Sequence, residues 1–505
     1  MKRRSRRVGC SHSNFFRAPK VRRPTMIGSY FSFYSSEQVQ PLRDKVLDFL
    51  ENHGMKLDEH PEMIRLLAEA GAKVDQVHHL VRFPKPLVEK CLEQAPREFI
   101  LGARGQEKTL PLPRPDGTFY GRTVTGAHGW IEPETGAYRK VTSSDLVQWT
   151  RLVNHLDEIS FMPFLFANDV PTATADIYGL ATVLTHTDKH VWVQPYSTGS
   201  VEYLLELAAT VAGGEKELRA NPLVSMIACS LTPRSFKYMD LEIILRSARA
   251  GVAIQACSLP GAGGTAPATL PGVILLAVAE ILAMLVMAQA AAPGTPVIAC
   301  PIIFSTDMRT GRSLQSSVEA IAAASGAVQF IKAAFNLPTH NYGSGSDAPN
   351  PGAECLAQRV MLGTLMALSG SDILGGAGQL EVATAVSPLV LIADNEIMAL
   401  LRRLRRGFIL DDDQLALDVM AETPPGQHFL TSLHTLKHCR DAFPPRLFLG
   451  LSREAWRKAG EQDLLERALV RYRDWAVQDN PSQLGDDLAK ELKNICQAAD
   501  LKLAG

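Results

Sequence analysis

The strongest constraint on the fold is an alternation of short apolar segments with longer ones between residues 118 and 406. The short segments favour strands, and the longer ones repeat apolar residues at helical spacing. Eight strand–helix units can be counted. The strand candidates are 120–130, 159–166, 190–196, 223–229, 252–258, 296–303, 338–342 and 373–378. The helix candidates are 143–155, 178–185, 201–211, 238–248, 270–292, 314–324, 353–368 and 394–405.

This alternation predicts an α/β fold, a (β/α)8 TIM barrel with helical N-terminal and C-terminal extensions. Strict strand–helix alternation favours a parallel sheet covered by helices, and no feature of the pattern marks a reversal of strand order. The first strand is interrupted by glycines, so an open sheet of seven strands stays an alternative. The predicted organisation is a basic disordered leader (1–29), a helical cap (30–117), the barrel (118–406) and a helical extension (407–505).

Composition narrows the partners and the compartment. The chain has 52 basic and 53 acidic residues, which gives no general attraction to nucleic acid or to a membrane surface. Its eight cysteines lack ligand-like spacing, and the basic leader lacks the apolar core of a secretory signal, so we expect a cytoplasmic protein. The helix at 270–292 is long enough to span a bilayer, but Glu280 in its middle favours burial inside a soluble protein.

In a barrel the chemistry lies where strands end and the following loops begin. That rule selects a set of mostly polar and aromatic residues. They are Thr125, His128, Asn168, Asp169, Gln194, Tyr196, Cys229, Ser230, Gln255, Ser258, Cys300, Phe304, His340, Asn341, Tyr342, Gln379 and Glu381. Each also has a structural interpretation: a histidine can bond a carbonyl, and a tyrosine hydroxyl can anchor a loop.

A glycine-rich loop at 260–265 follows the fifth predicted strand. It either closes a tight turn or contacts a ligand through its backbone. A dinucleotide is excluded as that ligand, because Ala266 stands where the third glycine of the fingerprint is usual and no ribose-binding acid follows at the expected distance.

Several short blocks occur together in an ordered way. They are GGTAPATLPG at 263–272, AEIL at 279–282, PGTPV at 293–297, DMRTG at 307–311, SP at 387–388, DNEI at 394–397, LLAEAGAKV at 66–74 and GGE at 213–215. In this combination the chain resembles the trimethylamine and glycine betaine corrinoid methyltransferase family over roughly residues 45–450. The sequence contains no pyrrolysine, so it looks like the non-pyrrolysine branch. The loop at 341–347 and the segment at 231–234 depart from the family pattern.

The resemblance implies an enzyme that moves a methyl group from a quaternary, betaine-type amine to the Co(I) of a separate corrinoid protein. The cobalamin is then carried by that partner, and none is tightly bound to this chain. The resemblance leaves the oligomeric state open, a homo-oligomer included.

The chemistry of a quaternary amine fits the residues at the strand ends. Such a nitrogen leaves as a neutral amine, so no general acid is needed, and the protein positions and desolvates the substrate. A trimethylammonium group favours aromatic faces or a carboxylate, and a betaine carboxylate needs donors, among them the backbone amides of 261–264. The predicted catalytic residues are His340, Tyr342 and Glu381. The predicted substrate-binding residues are Gln194, Tyr196, Gln255, Gly261, Gly263, Phe304 and Asn341.

Two alternatives stay open. Cys229, Cys257 and Cys300 fall near the ends of three successive predicted strands, where three thiolates could hold zinc and activate a thiol acceptor. Buried free cysteines are a common structural outcome, so our prediction is that the chain has no metal site. The second alternative is a barrel that binds a betaine without turnover.

Overall fold

A computed structural model describes residues 31–503, and its centre is a barrel of eight parallel strands. The strands are β1 (Tyr120–Thr123), β2 (Ile159–Met162), β3 (His190–Val193), β4 (Val224–Cys229), β5 (Ala253–Ser258), β6 (Val297–Pro301), β7 (His340–Tyr342) and β8 (Ile373–Ala377). Their order is β6-β5-β4-β3-β2-β1-β8-β7, and a parallel bridge between Ala299 and Thr339 joins the two ends. The predicted barrel is therefore confirmed, and the open seven-stranded sheet is excluded.

One helix follows each strand. The barrel helices are α1 (Ser143–Asn154), α2 (Ala175–His186), α3 (Ser200–Ala212), α4 (Tyr238–Ala250), α5 (Leu270–Ala291), α6 (Val318–Phe335), α7 (Ala353–Ser369) and α8 (Pro388–Arg405). A short helix, Glu215–Ala220, follows α3. The predicted start of α8 at residue 394 is wrong by six residues, because Ser387 accepts the N–H of Val390 as N-cap and Pro388 occupies the first turn.

The first predicted strand, 120–130, is two separate strands. The chain leaves the barrel after Thr123 and turns at Gly126, whose φ of 65° suits glycine. Gly129–Ile131 then joins a small sheet outside the barrel. The other strands of that sheet are Tyr138–Lys140, Gln379–Leu380 and Ala385–Val386.

The apolar helix α5 is enclosed by other parts of the protein. It contacts α4 and α6 on its two sides and the N-terminal helices on its outer face. Of the described helices, α5 and α6 are long and apolar enough to cross a membrane, with 78% and 61% of their apolar windows buried. Glu280 accepts hydrogen bonds from the hydroxyls of Ser230, Thr232 and Ser258 and from the N–H of Arg234. These four donors account for a carboxylate in the middle of an apolar helix.

The N-terminal region covers the outside of α5. Its helices are Ser36–Asn52, Pro61–Ala70 and Lys85–Gln94. Four short strands that the sequence analysis did not predict form a sheet. Three belong to the N-terminal region, Met55–Leu57, Lys73–Asp75 and Leu80–Arg82, and the fourth, Ser235–Phe236, lies between β4 and α4. A hairpin of Phe99–Leu101 and Leu110–Leu112 follows. The predicted leader, 1–29, lies outside the described residues.

The C-terminal extension divides into an arm and a packed part. We call residues 408–446 the arm, and none of them is buried. Its helices are Asp412–Leu415, Leu417–Glu422 and Leu433–His438. The carboxylate of Glu396, on α8, accepts the backbone N–H groups of Arg446, Leu447 and Phe448 and so fixes the end of the arm. Arg453–Lys458 follows, and then Leu464–Ala476 packs on α8 and Asp486–Leu503 on α3 and α2.

Candidate active site

A buried arginine lies inside the barrel. Arg122 is the third of the four residues of β1 and is 0% exposed. Its Nε donates to His340 Nε2 at 2.7 Å and its Nη1 to the carbonyl of Thr123 at 2.6 Å. The guanidinium carbon lies 4.2 Å from the centre of the Trp192 ring and 5.7 Å from that of Tyr342. The guanidinium is thus held rigidly by two acceptors and two aromatic rings.

The charge of Arg122 is not balanced by an acid of the described chain. The ionisable groups that interact with it are Tyr342, Cys300 and Cys257, and no carboxylate of residues 31–503 forms an ion pair with it within 4.0 Å. Residues 1–30 contain no Asp or Glu. Its Nη2 is buried without a hydrogen-bond partner, although buried charges are normally paired. A bound anion would supply both the missing acceptor and the missing negative charge.

Gly375 makes room for this arrangement. A Cβ atom at Gly375 would lie 2.8 Å from the guanidinium carbon of Arg122 and 2.7 Å from His340 Nε2. Real Cβ contacts are essentially never that short, so the glycine of β8 is required by the close approach of two side chains from other strands.

His340 is neutral and its tautomer is set by its partners. Its Nε2 accepts from Arg122, so its proton lies on Nδ1, which donates to Gln255 Oε1 at 2.7 Å. Desolvation and the neighbouring guanidinium hold the pKa of His340 well below its usual range. The ring is fully buried. His340 therefore positions Arg122 and has no proton to give to a substrate.

The same chain of hydrogen bonds continues across the barrel. Gln255 Nε2 donates to Ser225 Oγ at 3.0 Å, and that hydroxyl lies 2.9 Å from His190 Nε2. The other ring nitrogen, Nδ1 of His190, lies 2.7 Å from the carbonyl of Gly102, so it carries the proton. Burial lowers the pKa of His190 to about 4. The network braces strands β1, β7, β5, β4 and β3 with neutral groups.

Three of the predicted site residues, His340, Gln255 and Tyr342, meet around Arg122, whereas Asn341 points away from it. His340 and Gln255 belong to the hydrogen-bond network, and the Tyr342 ring, 7% exposed, faces the guanidinium. Asn341 lies between the two β7 residues and projects to the other side, where its side chain donates to the carbonyl of Pro301 at 2.7 Å. Its Oδ1 accepts the N–H of Tyr342, so Asn341 acts in strand geometry.

Gln194 and Tyr196 form a second group after β3. Gln194 Oε1 accepts from the hydroxyl of Thr125 at 3.2 Å. The Tyr196 ring packs against Phe164 and Phe166, and its hydroxyl is buried without a hydrogen-bond partner. Burial raises the pKa of Tyr196, so the hydroxyl keeps its proton and is available as a donor.

The glycine loop after β5 is a structural turn joined to the loop after β6. Gly261–Ala262 pairs with Phe304–Thr306, which in turn pairs with Ser313–Leu314. The N–H of Gly261 donates to the hydroxyl of Thr265, and those of Gly263 and Gly264 donate to carbonyls of the loop itself. These amides are therefore already used, and α5 begins only at Leu270. Three of the loop amides that we expected to bind a carboxylate are thus paired within the loop, while Phe304 stays partly exposed beside them.

Glu381 lies in a strained loop after β8. Glu381, Val382 and Ala383 have φ values of 48°, 55° and 69°, in the left-handed region that favours glycine. The loop is held by bonds from the N–H of Glu381 to Ala348 and from that of Val382 to Ser346. The side-chain partner of Glu381 among the described residues is the Thr384 hydroxyl at 3.5 Å, so it is not joined to His340 or Tyr342. Three consecutive strained residues are typical of functional loops.

The three cysteines are neighbours in register, but their sulfurs do not converge on one point. Cys229 lies opposite Cys257, and Cys257 opposite Cys300, on adjacent strands. Burial raises the pKa of Cys257 and Cys300, and a hydrogen bond with Cys257 together with burial raises that of Cys229. Within residues 31–503, groups of three ligand atoms within 4.8 Å of one another do not include these sulfurs. The zinc alternative therefore finds no ligand geometry here.

Arg122 and Trp192 were missed by the sequence analysis. A signal was present for each: Arg122 is a charged residue inside a predicted barrel strand, and Trp192 lies two residues before Gln194 on the same strand pattern. Selecting residues only at strand ends excluded both, because Arg122 lies three residues before Thr125 and Trp192 two residues before Gln194, inside the strands.

Comparison with known proteins assigns the family. A family model described as trimethylamine methyltransferase (MTTB) matches residues 1–499. The chain belongs to the MTTB family. MttB family relatives include a trimethylamine methyltransferase MttB of Desulfitobacterium hafniense strain DSM 10664 / DCB-2, 27% identical over 92% of this chain and 94% of that protein. A glycine betaine methyltransferase of strain Y51 is 28% identical over 92% of this chain and 96% of its own length.

Among solved structures, the monomethylamine methyltransferase MtmB of Methanosarcina barkeri is similar to this MTTB family member with a TM-score of 0.46 and 14% identity, over 88% of this chain and 93% of that one. The methanol:cobalamin methyltransferase complex MtaBC of Methanosarcina barkeri is similar with a TM-score of 0.28 and 13% identity, over 80% and 89%. Family membership makes the protein a methyltransferase enzyme, which confirms the resemblance read from the sequence.

Proposed function

We propose that this enzyme transfers a methyl group from a quaternary amine that carries a carboxylate, a betaine, to the Co(I) of a separate corrinoid protein. The observation that carries the proposal is the unbalanced guanidinium of Arg122 inside the barrel. The relatives are named for trimethylamine and for glycine betaine, and these two substrates differ in that only the betaine has an anionic group.

A substrate carboxylate fits Arg122 electrostatically. It would accept from the Nη2 that has no partner and would bring a negative charge to a buried positive one. A bare ammonium cation meets the opposite field. Two like unit charges about 5 Å apart repel by about 3 kcal/mol at an effective dielectric constant of about 20. Arg122 therefore favours a zwitterion over a cation of similar size.

The protonation states of the site favour a quaternary nitrogen. The histidines of the network, His340 and His190, are neutral and their ring protons are already donated. Neither can protonate a leaving amine. A quaternary nitrogen leaves as a neutral amine and needs no proton, so these histidines need not supply one. The aromatic faces of Tyr342, Tyr196 and Phe304 are the candidates for contact with the methylated nitrogen.

In this proposal the methyl acceptor is a second substrate, carried by the partner protein, and it supplies the nucleophile. This chain contributes binding, orientation and exclusion of water. We place the reaction in the cytoplasm, where the seven described cysteines, all free thiols, would stay reduced.

The test is a methyl-transfer assay with purified protein and reduced cob(I)alamin, repeated with a corrinoid protein. Glycine betaine, carnitine and proline betaine are offered as donors, and methylcobalamin formation is followed by absorbance. We expect turnover with at least one betaine and none with trimethylamine. Turnover of trimethylamine alone would contradict the betaine assignment.

Two controls separate the alternatives. Replacing cob(I)alamin with homocysteine tests a thiol acceptor, and zinc-dependent methylation of homocysteine would favour the zinc enzyme. Calorimetric binding of a betaine without methyl transfer to any acceptor would favour a binding protein over an enzyme.

A further inference from the structure

The arm, residues 408–446, lacks a hydrophobic core. Large apolar side chains in it are exposed, for example Phe408 at 65%, Leu430 at 78% and Leu433 at 84%. No residue of the arm is buried. A segment of this length without buried apolar surface needs another source of stability to keep a defined fold.

A cluster of three side chains joins the two ends of the arm. Ligand atoms of Asp413, His434 and His438 all lie within 4.8 Å of one another. The two histidines are one helical turn apart on Leu433–His438, and their ring centres are 4.4 Å apart. Asp413 comes from the helix Asp412–Leu415, twenty-one positions earlier in the chain. Two histidines at i and i+4 with a distant carboxylate are a common ligand set for zinc.

A hydrogen bond orients the His438 ring as histidine ligands are oriented in metal sites. Asp441 Oδ2 lies 2.6 Å from His438 Nδ1. With its proton on Nδ1 toward Asp441, His438 presents an unprotonated Nε2, which lies 3.2 Å from Asp413 Oδ2. Two ligands of a tetrahedral ion with bonds of about 2.0–2.1 Å are separated by about 3.3 Å. A carboxylate on the far nitrogen of a ligating histidine is the usual outer support.

His434 is held on the same side. Its Nε2 donates to the backbone carbonyl of Asp413 at 2.9 Å, which keeps the ring beside the carboxylate and leaves Nδ1 as the unprotonated nitrogen for a metal. His438 Nε2 is buried without a hydrogen-bond partner of good geometry, so this nitrogen is available to bind a metal ion. These contacts belong to a surface remote in sequence from the barrel strands and are independent of the methyl-transfer site.

Lys437 competes for this position. Its Nζ lies 2.6 Å and 2.7 Å from the two carboxylate oxygens of Asp413. The lysine side chain is 61% exposed, so it can turn to solvent when a cation takes the carboxylate. The ammonium marks where positive charge is favoured, and a divalent ion would satisfy the two histidines as well.

We propose that Asp413, His434 and His438 bind a divalent transition metal of the zinc class, and that the ion fixes the fold of the arm. Metal binding can supply folding free energy to a segment that lacks a core. Water completes the coordination. The proposal is independent of the substrate and the acceptor of methyl transfer.

The test is titration of the full-length protein with Zn²⁺ after treatment with a chelator and dialysis, in competition with a chromophoric zinc indicator. We expect one equivalent per chain. His434→Ala and His438→Ala each abolish that equivalent, and Asp441→Asn weakens binding by about 10–100-fold. Lys437→Ala tightens binding by roughly tenfold, because it removes a competing charge. Zn²⁺ also slows proteolysis within 408–446 in the unaltered protein.

His78→Ala is the matched control. His78 is paired with Asp75 at 2.9 Å on the surface of the N-terminal region, so it has the same chemistry outside the cluster. It should leave zinc binding unchanged. The proposal is overturned if the unaltered protein binds no equivalent of zinc, or if the equivalent survives in both His434→Ala and His438→Ala. Tighter binding by Lys437→Ala supports it even where a histidine variant loses the fold of the arm.

Discussion

Replacement of Arg122 by glutamine should change substrate preference in opposite directions for two classes of amine. Glutamine removes the charge and can still donate a hydrogen bond to His340, so the network keeps a partner at that position. Glycine betaine loses its carboxylate partner. Removing one member of a buried, hydrogen-bonded charge pair costs about 2–5 kcal/mol, and about 3 kcal/mol corresponds to roughly 150-fold in kcat/KM.

A carboxylate-free cation should respond in the other way. Tetramethylammonium no longer meets the repulsion of about 3 kcal/mol estimated for a charge about 5 Å from the guanidinium. Its kcat/KM, or its affinity as a competitor, should rise by up to about 100-fold. The ratio of the two specificity constants should therefore shift by about 10⁴-fold, which no general loss of structure can produce.

The assay measures kcat/KM for both amines with cob(I)alamin in excess. Arg312→Gln is the control, since Arg312 is an exposed arginine in the loop between β6 and α6 and contacts the carbonyl of Asp347. It should change either constant by less than about twofold, as expected for an exposed charge screened by solvent. Equal losses for both amines in Arg122→Gln would refute the reasoning, because they would indicate a purely structural arginine.

Three further predictions concern stability. His340→Ala should lower the free energy of unfolding by about 2–4 kcal/mol, because it leaves buried Arg122 without its acceptor; thermal unfolding checks this, and an unchanged melting temperature would contradict it. Burial raises the pKa of Asp240 to about 6, so its stabilising contribution is fully present below about pH 3.9 and is lost as pH rises through about 6. The free energy of unfolding in urea should be compared between Asp240→Asn and the unaltered protein. The difference between the two should change by up to about 3 kcal/mol from pH 4 to pH 7. A difference that stays constant over this range would exclude the raised pKa. Glu396→Gln should weaken three backbone hydrogen bonds and so speed proteolysis within 408–446. If the first cleavage fell inside the barrel instead, the prediction would be wrong.

The barrel was predictable from sequence because its strands are covered by helices on the outside and by side chains inside. Such strands become apolar runs, and the connecting helices keep their own period. Within the barrel, the errors lie at the ends of elements, whereas the strands of the N-terminal region were not predicted at all. Strand one was drawn too long across Gly126, and α8 too short, although Ser387 and Pro388 carry a clear N-terminal signal.

The site was only partly predictable, and the reason is physical. His340, Gln255 and Tyr342 were selected as candidate site residues near strand ends, and the structure brings them together around Arg122. Arg122 stands out because no acid of the described residues forms an ion pair with it in the folded structure. The sequence alone does not show which charged residues lack a partner after folding. The left-handed turn at Glu381 is formed by ordinary residues held by tertiary bonds, so propensity did not indicate it.

The direction of the hydrogen bonds joins these observations. Arg122 donates to His340, which must then donate to Gln255, and the order continues to His190 without any group able to reverse it at neutral pH. The network thus holds a charge in a fixed place and offers no proton beside it. A preorganised charge of this kind stabilises a bound anion without reorganisation, and it does so in a site where water competes poorly. A donor that leaves as a neutral amine needs only this, and a tertiary amine, which must be activated first, needs a group that the network does not contain.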